Sequence, residues 1–278
     1  MKRKIKLSKL IIHGLILLYI IFLLFPLLWV VASSLKSTQE IYSGSPTILP
    51  QNISFDHYIS VVNGQQVFNS MWNSVIVGVV STILVILLAV PSAYAMVRYK
   101  SIVNNGILGW ILVSQIFPVI LVMIPLYVLL RYIGLTDSLV GLTLIYVVWS
   151  LPFVLWMMHG YVKSIPIELE EAAVIDGANR SQVIFKILMP LLLPAIGASA
   201  LFAFISAWNE FFFAFVLMKS PALATLQVEL ARYTGMEGQA RTGPLAAASV
   251  IATIPSIILF IFMRKWLTTG LVSGALKG

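Results

Sequence analysis

The stretch IIHGLILLYIIFLLFPLLWVV, residues 11–31, contains no Asp, Glu, Lys or Arg and holds sixteen Leu, Ile, Val or Phe residues. Each of these contributes roughly −0.3 to −0.6 kcal/mol near the centre of a membrane helix, which outweighs His13 and Gly14. About 20 apolar residues suffice to cross a hydrocarbon core of roughly 30 Å. A basic segment precedes this run, as in a signal peptide, but the apolar core is longer than such a leader needs and more spans follow, so an uncleaved anchor is expected.

The rest of the chain repeats the message. Of 278 residues 60% are hydrophobic and only 10% charged, and the mean hydropathy is +0.98. Soluble domains carry about a quarter charged residues, and one or two cores could not hide this much apolar surface. Spans are expected at about 11–32, 72–97, 107–130, 139–162, 191–218 and 244–266. The fold class is therefore an all-α polytopic membrane protein with six transmembrane helices.

Lys and Arg set the orientation. With the N-terminus inside, thirteen fall on cytoplasmic segments, among them Lys2, Arg3, Lys4, Lys6, Lys9, Arg98, Lys100, Arg264, Lys265 and Lys277. Five fall outside: Lys36, Arg131, Lys219, Arg232 and Arg241. This bias predicts N-in and C-in. The formal charge of +8 is thus a topology signal spread over short loops, and nucleic acid is not expected as a partner. Cysteine is absent, which removes disulfides and thiolate metal sites.

Three organisational segments follow: 1–70, an anchor helix and outer segment that includes Pro46 and Pro50; 71–266, a core of five spans with a cytoplasmic loop at 163–190; and 267–278, a cytoplasmic tail. Pro26, Pro91, Pro118, Pro125, Pro152, Pro194 and Pro255 lie inside spans, where neighbouring helices or water can satisfy the freed carbonyls. They either pack or shape a cavity between two states.

The loop carries the most information. In Ser164-Ile-Pro-Ile-Glu-Leu-Glu-Glu-Ala-Ala-Val-Ile-Asp-Gly177, Pro166 suits a first helical turn. Glu168, Glu170 and Glu171 suit the positive end of the helix dipole, and Gly177 suits the position just past the helix end. Such a helix is too short and too charged to span, and marginal alone in water. It either lies solvated or docks into something. A second segment, Ser181 to Leu188, leads to Pro190.

Glu171-Ala172-Ala173, three residues, Gly177, nine residues, Ile187 and Pro190 resemble the EAA loop of binding-protein-dependent ABC importer permeases. Ile165-Pro166, Glu168-Leu169 and Asp176-Gly177-Ala178 look like the carbohydrate-uptake branch. Trp208-Asn209-Glu210-Phe211 and the tail Ser273-Gly274-Ala275-Leu276-Lys277-Gly278 are similar to phrases of the maltose-permease type. Met189 departs from the usual Leu, a swap of similar volume.

The resemblance implies a type I ABC importer permease fold in a bacterial cytoplasmic membrane. It also implies a second, different permease, a pair of ATPase subunits and an extracytoplasmic sugar-binding protein. Glu171, Ala172, Ala173, Asp176, Gly177, Ile187 and Pro190 would form the coupling surface. ATP and magnesium would sit on the ATPase, since no G-x-x-x-x-G-K-[ST] phosphate cradle exists in this chain. No cofactor is expected on the chain itself.

Asn209 and Glu210 lie deep in the fifth expected span, where a carboxylate costs a few kcal/mol unless paired or wetted. They are candidates for the substrate path or for helix–helix hydrogen bonding, and Gln115 near Pro118 is a further path candidate. His159 reads as a packed or interfacial side chain. A self-sufficient secondary transporter would need inverted repeats and more buried ionisable groups, and a membrane enzyme would need a reactive cluster. Neither pattern is evident.

Overall fold

The computed structural model describes residues 7–43, 47–99, 102–235 and 241–275. Lys2, Arg3, Lys4, Lys6, Pro46, Lys100 and the tail residues Leu276, Lys277 and Gly278 lie outside them, as does the side chain of Ser273. Among the described residues the secondary structure is entirely helical. The anchor run forms α1 (Leu7–Ser34), followed by α2 (Thr38–Tyr42), α3 (Asp56–Asn63) and the long α4 (Gln66–Arg98). Next come α5 (Ile102–Ser114), α6 (Val119–Tyr132), α7 (Leu139–Ser164), α8 (Glu168–Ile175) and α9 (Arg180–Gln182). A π-helical turn at Val183–Leu188 feeds α10 (Met189–Trp208), which precedes α11 (Phe212–Leu217), α12 (Leu226–Arg232) and α13 (Thr242–Ala275).

Among the described residues five helical segments are long and apolar enough to cross a membrane: α1, α4, α7, the run ending in α10, and α13. The chain is a multi-pass membrane protein. Two expected spans are not single helices. The run 107–130 divides into α5 and α6, because Pro118 is the N-cap of α6 rather than a residue inside a span. Proline has no N–H for an i→i−4 bond and its ring crowds the preceding turn, so the helix stops at Ser114. Pro125 is tolerated inside α6. The run 191–218 breaks at Asn209, which ends α10 with φ −89° and ψ −1°. Pro166 also differs from expectation: α8 begins at Glu168, and Pro166 lies in the turn before it, its carbonyl accepting from Leu169 N–H at 3.4 Å.

Two compact units emerge, one from the described parts of 1–68 and 229–254, the other from those of 69–228 and 255–278. In the second, α7 is the central element. Half of its most apolar window is buried, the largest share of any span, and it packs against α5, α10 and α11. Val85, Ala89 and Ala93 of α4 meet Val154, Met158 and Val162 of α7 in one buried cluster. The small side chains let helices approach closely, which substitutes in lipid for the hydrophobic drive available in water.

In the first unit, the segment after α1 is pinned by hydrogen bonds. Ser34 Oγ pairs with Tyr58 OH at 2.7 Å, Ser54 N–H donates to the Leu35 carbonyl at 2.8 Å, and the buried Lys36 ammonium donates to the Thr47 carbonyl. Helix α1 itself has only 6% of its apolar window buried. A helix apolar all round and so little covered suits a lipid environment.

Candidate functional site

Helix α7 ends at Ser164, and Ile165 turns the chain into extended backbone. Eight residues then form α8, with three glutamates in its first turn. Their fates differ. Glu168 and Glu171 are exposed. Glu170 is 8% exposed and its carboxylate is held from two sides by the C-terminal end of α4. Arg98 Nε donates to Oε1 at 2.7 Å and Tyr94 OH donates to Oε2 at 3.0 Å. The same guanidinium donates through Nη2 to the Ile165 carbonyl at 3.0 Å. Charge-assisted hydrogen bonds of this kind contribute about 1.5–3 kcal/mol, enough to fix a helix too short to persist alone.

The far end of α8 is closed by backbone chemistry. Ala178 N–H reaches the Ala173 carbonyl at 2.9 Å and Gly177 N–H reaches the Val174 carbonyl at 3.0 Å, the two bonds of a Schellman cap. Gly177 has φ +84°, so the left-handed residue past the helix stands where the sequence places it. Asp176 is the C-cap, its N–H on the Ala172 carbonyl at 3.0 Å. Asn179 and Gln182 then form a reciprocal capping box, each bond 2.9 Å. Arg180 lies over the Tyr99 ring at 5.5 Å, a cation–π contact. The segment Ser181 to Leu188 is α9 and the π turn; Ile187 is half-buried and Pro190 exposed in the first turn of α10.

The exposed surface of α8 carries Glu168 and Glu171 beside a group of bare apolar side chains. Ile167, Leu169 and Val174 are about half exposed or more, and Ile175 is 85% exposed. Ala172 is exposed and Ala173 buried. A cleft of about 760 Å³ opens beside this face, lined by Tyr94, Arg98, Tyr99, Glu171, Ile175 and Arg180 among others. Burying an isoleucine of this exposure would be worth about 1.5–3 kcal/mol. The arrangement can receive another protein surface.

The second candidate region is the break between α10 and α11. Asn209 is exposed, with Nδ2 donating to the Ile205 carbonyl at 3.0 Å. Glu210 Oε2 accepts from Tyr146 OH of α7 at 2.8 Å and from Ala214 N–H at 3.2 Å, and Oε1 accepts from Phe213 N–H at 2.8 Å. The carboxylate thus satisfies the opening N–H groups of α11, which offsets its cost in an apolar setting. Gln115 is half-buried in the turn between α5 and α6. Among the described residues no hydrogen bond joins it to Asn209 or Glu210. His159 is half-buried in α7. No cluster of three His, Cys, Asp or Glu that could hold a metal occurs among the described residues.

Arg98, Tyr94 and Glu170 were not legible as a set. Arg98 reads in the sequence as a topology charge. The available signal was Tyr94 and Arg98 four residues apart on one helix face, together with three closely spaced glutamates at 168, 170 and 171.

Residues 85–272 match the family of binding-protein-dependent transport system inner membrane components. A trehalose transport system permease protein of Mycobacterium tuberculosis is 33% identical over 256 residues, 92% of this chain and 93% of its own. A trehalose/maltose transport system permease protein of Thermococcus litoralis is 33% identical over 271 residues, 97% and 96% of the two chains. A chain in the crystal structure of a bacterial ABC transporter involved in import of the acidic polysaccharide alginate superposes with a TM-score of 0.79. It is 25% identical, over 96% of this chain and 99% of that one.

Proposed function

This chain belongs to the family of binding-protein-dependent transport system inner membrane components, and on that premise we propose that it is the permease subunit of an ATP-driven sugar importer. Its relatives named for trehalose and for trehalose/maltose support a di- or oligosaccharide as cargo. The observation that carries the reading is α8: clamped through Glu170 on one side, bare through Glu171, Val174 and Ile175 on the other.

The chain crosses a bacterial inner membrane six times, with both ends in the cytoplasm. The third crossing is made jointly by α5 and α6. A second, different permease completes the path, a pair of ATPase subunits receives α8, and an extracytoplasmic binding protein delivers the sugar. ATP and magnesium belong to the ATPase.

In this reading Glu171, Ala172 and Asp176 face the ATPase, Ala173 seats the helix, Gly177 turns the chain, and Ile187 and Pro190 pass the motion into α10. Asn209 and Gln115 lie along the sugar path, with Glu210 fixing the break beside it.

Mild solubilisation and tagged purification test this. The wild-type chain is expected to bring down an ATPase and a second permease, and Glu171→Lys to lose much of the ATPase. A wild-type chain that purifies alone and moves solute without ATP would overturn the reading.

A further inference from the structure

The inner end of α4 touches the coupling segment at three successive places. Arg98 Nη2 meets the Ile165 carbonyl just before α8, Arg98 Nε and Tyr94 OH meet Glu170 within α8, and the Tyr99 ring lies under Arg180 just after it. The coupling segment is covalently continuous with α7 and α10, not with α4. A pull on α8 would therefore reach α7 and α10 through the chain itself, and α4 through these side chains as well as through its buried packing on α7.

The ion pair is well suited to carry load. Both side chains are 11% exposed, so water screens the pair little. Both carboxylate oxygens have a donor, and Tyr94 and Arg98 stand one helical turn apart on the same face of α4. A carboxylate gripped by two residues of one rigid helix can neither slide along it nor rotate away without leaving a buried charge unpaired.

We propose that Arg98 and Tyr94 are positioning residues that bind α4 and the coupling helix into one strut, so that α4 travels with α8 through the transport cycle. This rests on the importer reading above. Under it, the partner's stroke is applied to three helices at once, α7, α10 and α4. The separation between α8 and the inner end of α4 stays fixed while the docked ATPase changes state.

The absence of native cysteine permits a direct test in the assembled complex. Spin labels are placed through Ala95→Cys on α4 and Glu168→Cys on α8, both exposed positions. Their separation is read without nucleotide and with ATP plus vanadate. One narrow distance common to both states is expected. A change approaching one helical turn, about 5.4 Å, would overturn the strut.

In the labelled background Arg98→Gln is expected to lose the single narrow distance while the complex still hydrolyses ATP, and Arg98→Glu with Glu170→Arg to restore it. Tyr94→Phe, which removes one neutral donor, reads the same property should Arg98→Gln fail to fold. Distances as narrow as in the unsubstituted complex for both single variants would overturn the assignment. Failure of the unsubstituted chain to assemble with any ATPase would instead sink the importer reading, so the two failures are distinguishable.

Discussion

Tyr146 donates its phenolic hydrogen to Glu210 across 2.8 Å, tying the N-terminal part of α7 to the point where α10 gives way to α11. Glu210 in turn accepts from Phe213 and Ala214 N–H. Tyr146→Phe is expected to cost about 1 kcal/mol, the net worth of one hydrogen bond. Glu210→Ala is expected to cost about 1–3 kcal/mol, because it leaves buried donors without a partner. Thermal unfolding in detergent ranks the two. For Glu210→Gln, a lower maximal uptake rate with unchanged KM is expected; a raised KM at an unchanged maximal rate would place the carboxylate on the sugar itself.

Gly177 is the second test. Its φ of +84° puts an L side chain in the left-handed region at a cost of about 1–2 kcal/mol, and more for a β-branched one. Nothing crowds the position, so any effect of Gly177→Val is backbone strain that frays the Schellman cap. Gly177→Val is expected to reduce ATPase recovery on co-purification, and Gly177→Asn, which tolerates that conformation, to reduce it less. Equal recovery for glycine and valine would remove the cap from the docking surface.

His57 and Gly243 give a pH-dependent test within the first unit. His57 is buried, its Nε2 has no hydrogen-bond partner, and it lies against Gly243 so closely that a Cβ there would overlap the ring. Burial lowers the His57 pKa below its usual 6.5, opposed by the Asp56 carboxylate and a hydrogen bond with the Lys36 backbone. The unfolded chain therefore binds a proton more readily than the folded one. The stabilising contribution is present above about pH 6.5 and is lost as pH falls from there through the lowered folded value. Proteolysis of the segment between α1 and α4 is expected to accelerate on acidification, and His57→Gln to flatten that dependence. Gly243→Ala is expected to cost about 1–3 kcal/mol by overpacking.

Asp137 joins the turn between α6 and α7 to the segment after α11. Its Oδ1 accepts from Lys219 and Ser220 N–H at 2.8 and 3.0 Å, and its φ is +50°. The Ser220 hydroxyl and N–H, with smaller help from Lys219, hold its pKa below the usual 3.8. Stability from this group is present above about pH 3.9 and is lost as pH falls through the lower folded value. Asp137→Asn keeps an acceptor and tolerates the left-handed backbone, so it is expected to be mild, whereas Asp137→Ala is expected to cost about 1 kcal/mol. Melting curves of the two variants at neutral pH check the order.

The α8 cap was legible because its cause is local. A glycine at the sixth position after Glu171 both ends the helix and fixes the turn, whatever packs around it. Glu171 and Glu170 could not be told apart in the same way. They are adjacent and chemically alike, and which of them is buried depends on α4, 72 residues from Glu170 in the chain.

Hydropathy alone determined that this chain lives in a membrane, since apolar runs of bilayer length cannot be hidden from water otherwise. Local chemistry determined where α8 ends. Tertiary structure decided where the apolar runs are interrupted. Pro118 begins a helix while Pro125 sits inside the same one, and α10 stops at Trp208 where Tyr146 and Glu210 meet. The physical reason is that in lipid a broken helix must find partners for its freed backbone groups, and those partners come from other helices whose positions no single stretch of sequence contains.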